Sequence, residues 1–316
     1  MAELHLVCEG TSDGLDERVL VRVLVQILGV QITVQAGGGS SSLGSIRSYI
    51  EGRSRGLGGA DSRPHAVVFS ICDRDFEPIE RVQAIWARND RTLLLHRHEI
   101  ENYLLEPRVV AGALRSFRET VRKGTWARAL PTTEAEVSDL LRRAAETCLD
   151  AYVAGVVHRA IYVACREAGS LSFRLEKPKS ITGERVRLDD WLRSFHMEAE
   201  RLRKECAEVA GLTILEPDSI AVEFDAARKR VEDPAFFGEG RYLSEMEGKE
   251  IIDALLAEIH KLGQGKGPSR EDLEQELVKA LDPAYREGGL FEPDTFALLR
   301  DKLQAASAPR RRAKPG

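Results

Sequence analysis

The apolar positions of the first hundred residues follow two different spacings. Strands are predicted at 4–8, 31–35, 66–72 and 92–95, and the continuous apolar run at 66–72 suits a strand buried on both faces. Between them, apolar residues recur at helical spacing over 15–28 until Gly29 ends the pattern, and further helices are predicted at 43–52 and 77–88. Strands that alternate with helices predict an α/β core over 1–107, with a mainly parallel sheet flanked by helices.

Beyond residue 107 the pattern becomes mainly helical. Helical periodicity runs through 108–167 with a break near Pro131, and it returns at 188–210. We therefore expect 108–242 to be a helical insertion, or second subdomain, attached to the α/β core.

The C-terminal part predicts two more helices and a tail. An amphipathic helix is predicted over 243–262, and Ser269 is placed to cap another one. We expect residues 243–305 to complete the α/β region, and the basic segment 306–316 to be a disordered tail.

Composition narrows the class of protein without deciding its function. The hydrophobic fraction is 43% and the net charge is −5, so any basic surface for nucleic acid must be local. The five cysteines have no CxxC spacing, which argues against a zinc site and fits a reducing cytosol. We see no signal peptide and no apolar run of about 20 residues, so we expect a cytoplasmic protein without a membrane span.

The first candidate for chemistry is the pair Glu9 and Asp13. Glu9 directly follows the first predicted strand, and Asp13 lies at the entry of the next helix. Ligands of open parallel sheets bind at the carboxyl ends of the strands, which is where these acids lie. The alternative is that Asp13 caps the helix and Glu9 is solvated.

The second candidate is the segment Asp73-Arg74-Asp75, which ends the most strand-like run of the chain. Two carboxylates two residues apart can both reach one divalent ion, and such oxygen ligands suit Mg²⁺ or Mn²⁺. The alternative is a loop whose acids are incidental.

The third candidate is the segment from His98 to Tyr103, which follows the strand at 92–95 and adds Glu99 and Glu101. If the three strand ends converge, their carboxylates would repel one another without a cation. The Gly-rich loop at 37–40 lacks the GK[ST] of a P-loop, so we interpret it as a turn.

Together these segments resemble the TOPRIM fold, a Rossmann-like α/β fold. Residues 9–13 (EGTSD), 73–76 (DRDF) and 99–107 (EIENYLLEP) are similar to motifs of the overcoming-lysogenization-defect (OLD) branch, which includes stand-alone TOPRIM effectors of PARIS-type anti-phage systems. Gly248-Lys249, opening a predicted helix, matches a fourth motif of that branch. The motifs cover about 4–107 and 243–260 and leave the helical region between them unexplained.

The resemblance implies a set of functional residues. It implies that two Mg²⁺ or Mn²⁺ ions are bound by Glu9, Asp13, Asp73, Asp75 and Glu101, with Glu99 able to share the role of Glu101. Lys249 would offset charge on the phosphate, against the alternative of a solvated surface lysine. Tyr103 we interpret as a packing residue, so water is the expected nucleophile.

A local basic stretch follows the third motif. Arg108, Arg115, Arg118 and Arg122 could follow a nucleic-acid backbone, and a solvated helix face is the alternative.

The leading hypothesis is a metal-dependent nuclease that hydrolyses DNA or RNA, tRNA included. It would be the toxic effector of a phage-defence system, controlled by a separate ABC-type ATPase, and we expect a homodimer without membrane attachment. One alternative is a non-catalytic TOPRIM subunit of a defence complex. Another is a phosphatase with an aspartyl nucleophile, disfavoured because its DxD normally follows the first strand.

Overall fold

A computed structural model describes most of the chain, namely residues 3–56, 66–88, 91–120, 126–169, 188–206, 209–288 and 295–307. The chain forms two compact units. Unit 1 comprises residues 1–137 and 267–316, and unit 2 comprises residues 138–266. Each unit is described by itself below.

The centre of unit 1 is a four-stranded sheet in which every pairing is parallel and the strand order is β2-β1-β3-β4. The strands are β1 (Glu3–Cys8), β2 (Thr33–Ala36), β3 (Ala66–Cys72) and β4 (Thr92–Leu94). Their register pairs Cys8 with Ala36 and Ile71, and Cys72 with Leu94, so all four strands end at one edge. About 70% of the described residues are helical, and the small parallel sheet among these helices is compatible with the predicted α/β class.

In the described part of the chain, seven helices lie wholly or partly in unit 1 together with this sheet. They are α1 (Leu15–Leu20), α2 (Ser40–Gly56), α3 (Ile79–Ala87), α4 (Pro107–Thr120), α5 (Glu134–Glu146), α12 (Arg270–Gly288) and α13 (Thr295–Ser307). A π-helical segment, Val21–Ile27, continues α1, and 3-10 helices lie at Ile100–Tyr103 and Trp126–Ala129. The helix α5 spans the boundary between the two units in the chain.

Helix α2 covers one face of the sheet. Leu43, Ile46 and Ile50 of α2 pack against a buried cluster that includes Val7 and Val68. Because side chains alternate along a strand, Leu6 and Cys8 lie on the opposite face from Val7. The hydrophobic effect on both faces explains why β3 is a nearly continuous apolar run.

The last two helices return to the N-terminal core. Helix α12 packs against α4 and the π-helical segment, and α13 packs against β1 and the same segment. We expected boundaries at 107/108 and 242/243, whereas the units meet at 137/138 and 266/267.

Unit 2 is a helical body. Its further helices are α6 (Leu149–Glu167), α7 (Leu188–Glu205), α8 (Pro217–Glu232), α9 (Pro234–Gly238), α10 (Tyr242–Glu245) and α11 (Gly248–Leu262), with a 3-10 turn at Thr213–Leu215. Helix α6 packs against α7 and α8 around buried Ile161, Phe195 and Phe224. The prediction of one helix over 243–262 is wrong in one respect, since the helix is interrupted between α10 and α11. Most of the segment 168–187, between the two stretches of helical periodicity, lies outside the described residues.

Within the described ranges, no single helix has the length and apolar character needed to cross a bilayer. The pair α5 and α6, bent by 59°, meets those criteria only when the two helices are taken together.

Candidate active site at the carboxyl edge of the sheet

The sheet has one position where the direction of winding reverses. From β1 the chain moves outward to β2, and then crosses to β3 and β4 on the other side. The reversal lies between β1 and β3, and in open α/β sheets ligands bind beyond the carboxyl ends of the strands at such a point. Glu9 directly follows β1 and Asp73 directly follows β3, so the topology brings the first two sequence motifs to the same crevice.

The turn after β1 depends on a glycine. Gly10 has φ +89°, and a Cβ built on it would lie 2.4 Å from the Asp16 carboxylate of α1. The Gly10 carbonyl accepts a hydrogen bond from the Gly38 N–H at 2.7 Å, and the Cys8 carbonyl accepts one from Gly37 at 2.8 Å. The β1 turn is therefore fastened to the Gly-rich turn that follows β2.

Asp13 lies in this turn with its backbone in the left-handed region, at φ +59°. Its N–H donates to the Glu17 carboxylate at 3.0 Å, and its side chain is exposed. Gly14 occupies the N-cap of α1, so the alternative in which Asp13 caps this helix is wrong. Asp16, which the sequence analysis did not single out, is the carboxylate that packs on Gly10.

Three of the acids expected to bind metal raise the pKa of the same thiol, that of Cys72. Burial, the charge of Glu9, a hydrogen bond to Glu9 and the charges of Asp73 and Asp75 together raise the pKa of Cys72 to about 12. Burial and the charges of Asp16, Glu17 and Asp73 likewise raise the pKa of Cys8 to about 12. Glu9, Asp73 and Asp75 therefore each lie within electrostatic reach of the Cys72 thiol at this edge of the sheet.

The turn after β3 is held by hydrogen bonds to the segment that follows β4. The backbone N–H groups of Arg74 and Asp75 donate to the His98 carbonyl at 3.0 and 3.1 Å. The Arg74 guanidinium donates to the His96 carbonyl at 2.7 Å, and this side chain is buried. Asp75 has φ +50°, a conformation that costs a residue with a side chain about 1 kcal/mol.

The third motif is a buried scaffold. Glu99 and Asn102 form a capping box on the 3-10 helix Ile100–Tyr103, and the Glu99 N–H donates to the Asn102 side chain at 2.8 Å. Arg97 forms an ion pair with Glu106 and donates to the Asn102 carbonyl at 2.9 Å. The ring of Phe76 meets the buried His98 ring edge-on, with centroids 4.5 Å apart. These contacts explain why an aromatic residue follows the Asp73-Arg74-Asp75 turn.

A buried hydrogen-bond chain links this scaffold to α13. The Tyr103 and Thr295 hydroxyls are 2.8 Å apart, and the Thr295 hydroxyl is 2.9 Å from Nδ1 of His96. Burial and the charge of Arg74 together lower the pKa of His96 to about 4, so the ring is neutral at pH 7. Burial raises the pKa of Tyr103, and its fully buried ring contacts Phe296, which fits the packing role expected for it.

The metal expected from the sequence can be assessed from the donors. Carboxylate oxygens from Glu9, Asp73 and Asp75 are ligands of the kind that Mg²⁺ and Mn²⁺ prefer. Glu101 is buried in the third motif, and Asp13 is exposed. Among the described residues no group of three or more His, Cys, Asp or Glu side chains is arranged to hold an ion. The donor chemistry fits, and the described side chains do not form a closed set of ligands.

Lys249 belongs to unit 2. It is exposed in the first turn of α11, directly after the buried Gly248. Glu9, Asp73 and Asp75 belong to unit 1. The role of Lys249 in offsetting charge on the phosphate therefore stays a prediction.

The basic stretch lies on α4, where three of its four arginines are described. Arg108 pairs with Glu134 at 3.0 Å, and Arg115 and Arg118 donate to Thr132 at 3.3 and 3.2 Å. Arg122 lies outside the described residues. The three described guanidinium groups thus have partners just before and at the start of α5. Their binding to nucleic acid stays a prediction.

No protein-family model and no curated protein matches the chain.

Proposed function

We propose that this protein is a divalent-metal-dependent nuclease of the TOPRIM type that hydrolyses phosphodiester bonds in DNA or RNA. The observation that carries the proposal is the position of Glu9 and Asp73 after adjacent parallel strands at the point where the winding of the sheet reverses. The fold class and the order of the motifs along the chain support the same assignment.

The three carboxylates would act together. Glu9, Asp73 and Asp75 would hold Mg²⁺ or Mn²⁺, with Asp13 and Glu101 as the further ligands implied by the resemblance. A bound ion would supply a water of lowered pKa and would offset negative charge on the phosphodiester. The carboxylates would orient that ion and exclude other geometries, because their turns are fastened by hydrogen bonds between the strand ends.

Water is the nucleophile in this proposal. The Tyr103 hydroxyl is buried and bonded to Thr295, and burial raises its pKa. A phenol that is hard to ionise and shielded from solvent is a poor nucleophile. Lys249 and the arginines of α4 stay in the proposal as contacts to substrate, with no position assigned to Lys249 relative to the carboxylates.

The test is a cleavage assay on the full chain. Wild type is incubated with Mg²⁺ or Mn²⁺ and with plasmid DNA, single-stranded DNA and bulk tRNA, beside Glu9→Gln and Asp73→Asn. We expect metal-dependent cleavage of at least one substrate and a loss of 100-fold or more in both variants. Equal cleavage by wild type and both variants would show that these acids are not the active site.

The biological role we propose is that of a toxic effector in phage defence, held in check by a separate ABC-type ATPase. Induced expression without that partner is then expected to arrest growth, and Asp73→Asn is expected to remove the arrest at equal protein level. Arrest that persists in the variant would contradict a nuclease effector.

One observation favours a second candidate, a non-catalytic TOPRIM subunit. Among the described residues no three acids are already arranged around an ion position. For such a subunit, Asp75→Ala would leave growth inhibition intact while no nucleic acid is cleaved with either metal.

A further inference from the structure

Arg74 lies between two candidate metal ligands, yet its side chain is directed away from solvent. It is 8% exposed, whereas Asp73 and Asp75 on either side are only partly buried. Burial of a guanidinium is unfavourable unless its donors and its charge are compensated. A buried arginine at this position therefore requires a structural explanation.

The contacts of this residue supply one. Its guanidinium donates to the His96 carbonyl at 2.7 Å, and its backbone N–H donates to the His98 carbonyl at 3.0 Å. The same His98 carbonyl accepts from Asp75 at 3.1 Å. Three hydrogen bonds thus join the turn after β3 to two carbonyls of the segment after β4.

The accepting segment is itself held rigidly. Nδ1 of His96 is hydrogen-bonded to the Thr295 hydroxyl, and the His96 ring is tilted against Trp86 with centroids 5.0 Å apart. The His98 ring packs against Phe76. Arg74 is therefore anchored to backbone that cannot shift without disturbing buried side chains.

The backbone of Asp75 shows why an anchor is needed. Its φ of +50° is unfavourable for any residue with a Cβ, and such a conformation persists only where the surroundings enforce it. The hydrogen bonds of Arg74 and Asp75 to the His98 carbonyl are among the contacts that hold this turn. The hydrogen bond of the Arg74 guanidinium to the His96 carbonyl ties the same turn to the segment after β4.

We propose that Arg74 is a positioning residue that fixes the Asp73 and Asp75 carboxylates for metal binding and does not itself touch the substrate. This inference rests on the proposed nuclease function. The arginine side chain would have a role separate from that of the acids beside it, because its guanidinium is hydrogen-bonded to the His96 carbonyl and holds the turn in place.

The test compares Arg74→Met with Arg74→Lys in the full chain. Calorimetry measures the affinity for Mn²⁺, and cleavage assays measure the Mn²⁺ concentration for half-maximal rate. We expect Met to weaken Mn²⁺ affinity at least tenfold and to raise the half-maximal concentration equally, with much of the rate restored at saturating Mn²⁺. Lys, which keeps the charge and one donor for the His96 carbonyl, is expected to recover part of the affinity.

The control is Arg47→Met, which also removes a guanidinium hydrogen bond, to the Thr92 hydroxyl at 2.9 Å, in the same unit. We expect this variant to bind Mn²⁺ as wild type does. Wild-type affinity in Arg74→Met would overturn the proposal. If Arg74→Met does not fold, Arg74→Leu, which likewise lacks a donor for the His96 carbonyl, decides, and a folded Leu variant with unchanged Mn²⁺ affinity and unchanged half-maximal concentration would overturn it as well. A wild type that binds no Mn²⁺ would instead refute the proposed function.

Discussion

At the scale of single residues, the site depends on backbone conformations that most side chains avoid. Asp13 and Asp75 both have positive φ, and both belong to the motifs that suggested the function. Aspartate tolerates the left-handed region better than most residues, and strain of this kind concentrates at functional sites. Asp75 lies just past a strand end and Asp13 lies before the first helix, as the sequence predicts, but no sequence pattern indicates their positive φ.

Two substitutions of Asp75 distinguish the cost of its backbone conformation from the role of its carboxylate. We expect Asp75→Gly to be more stable than Asp75→Ala by about 1 kcal/mol, because glycine adopts positive φ without a Cβ clash. Both variants are expected to lose Mn²⁺ binding, since both lack the carboxylate. Urea denaturation measures the difference in stability, and equal stability of the two variants would show that the turn is not strained.

The neutral His96 makes stability depend on pH in a defined window. Its pKa is about 4 in the folded protein and 6.5 ordinarily, so the unfolded chain binds the proton more readily between those values. Its contribution is therefore fully present above pH 6.5 and is lost as pH falls through 4, on the order of 3 kcal/mol in total. His96→Asn, which does not titrate, is expected to lose less stability than wild type between pH 6.5 and 4 in denaturation experiments. Identical pH profiles would contradict a buried, neutral His96.

At the scale of elements, local pattern predicted the strands well and the helix ends less well. The continuous apolar run at 66–72 is β3 exactly as predicted, because burial on both faces leaves a signal in every residue. Helix α2 begins at Ser40, three residues before the predicted start, since serines are compatible with both a loop and a first helical turn. Helix α8 was missed although its buried residues Ile220, Phe224 and Ala227 recur at helical spacing, because the exposed Val222 lies between them and obscures the pattern.

The link between α13 and the 3-10 helix Ile100–Tyr103 could not be predicted at all. Thr295 lies about two hundred residues from His96 in sequence, and nothing in the local pattern connects them. We expect Thr295→Val to destabilise the protein by about 1–3 kcal/mol, because it leaves the Tyr103 hydroxyl and the His96 ring without this partner. Combined with Tyr103→Phe, the loss should be smaller than the sum of the two single losses.

A matched control is Thr120→Val in α4, whose hydroxyl donates to the Ser116 carbonyl at 2.8 Å in an exposed position. Its cost is expected to stay within about 0.5 kcal/mol. Thermal or urea denaturation measures all of these variants. Strictly additive losses for Thr295→Val and Tyr103→Phe would show that the buried chain is not a cooperative link.

At the scale of the whole molecule, the sequence predicted the α/β class, and the division of the chain differs from the expected boundaries. Periodicity indicates where helices lie along the chain, but it does not show which helices pack together. Helices α12 and α13 return to α4, to β1 and to the π-helical segment, so unit 1 is built from both ends of the chain. Such long-range packing depends on side chains far apart in sequence, which no local pattern contains.

The central claim is that the acids following β1 and β3 form one site for divalent ions. The most direct measurement is a titration of the purified protein with Mn²⁺, followed by electron paramagnetic resonance, for wild type, Glu9→Gln and Asp73→Asn. We expect saturable binding of up to two Mn²⁺ ions in wild type and at least tenfold weaker binding in each variant. Both variants should weaken the same binding because the two acids, which follow different strands, would share one site. Mn²⁺ binding that is absent from wild type, or unchanged in both variants, would contradict it.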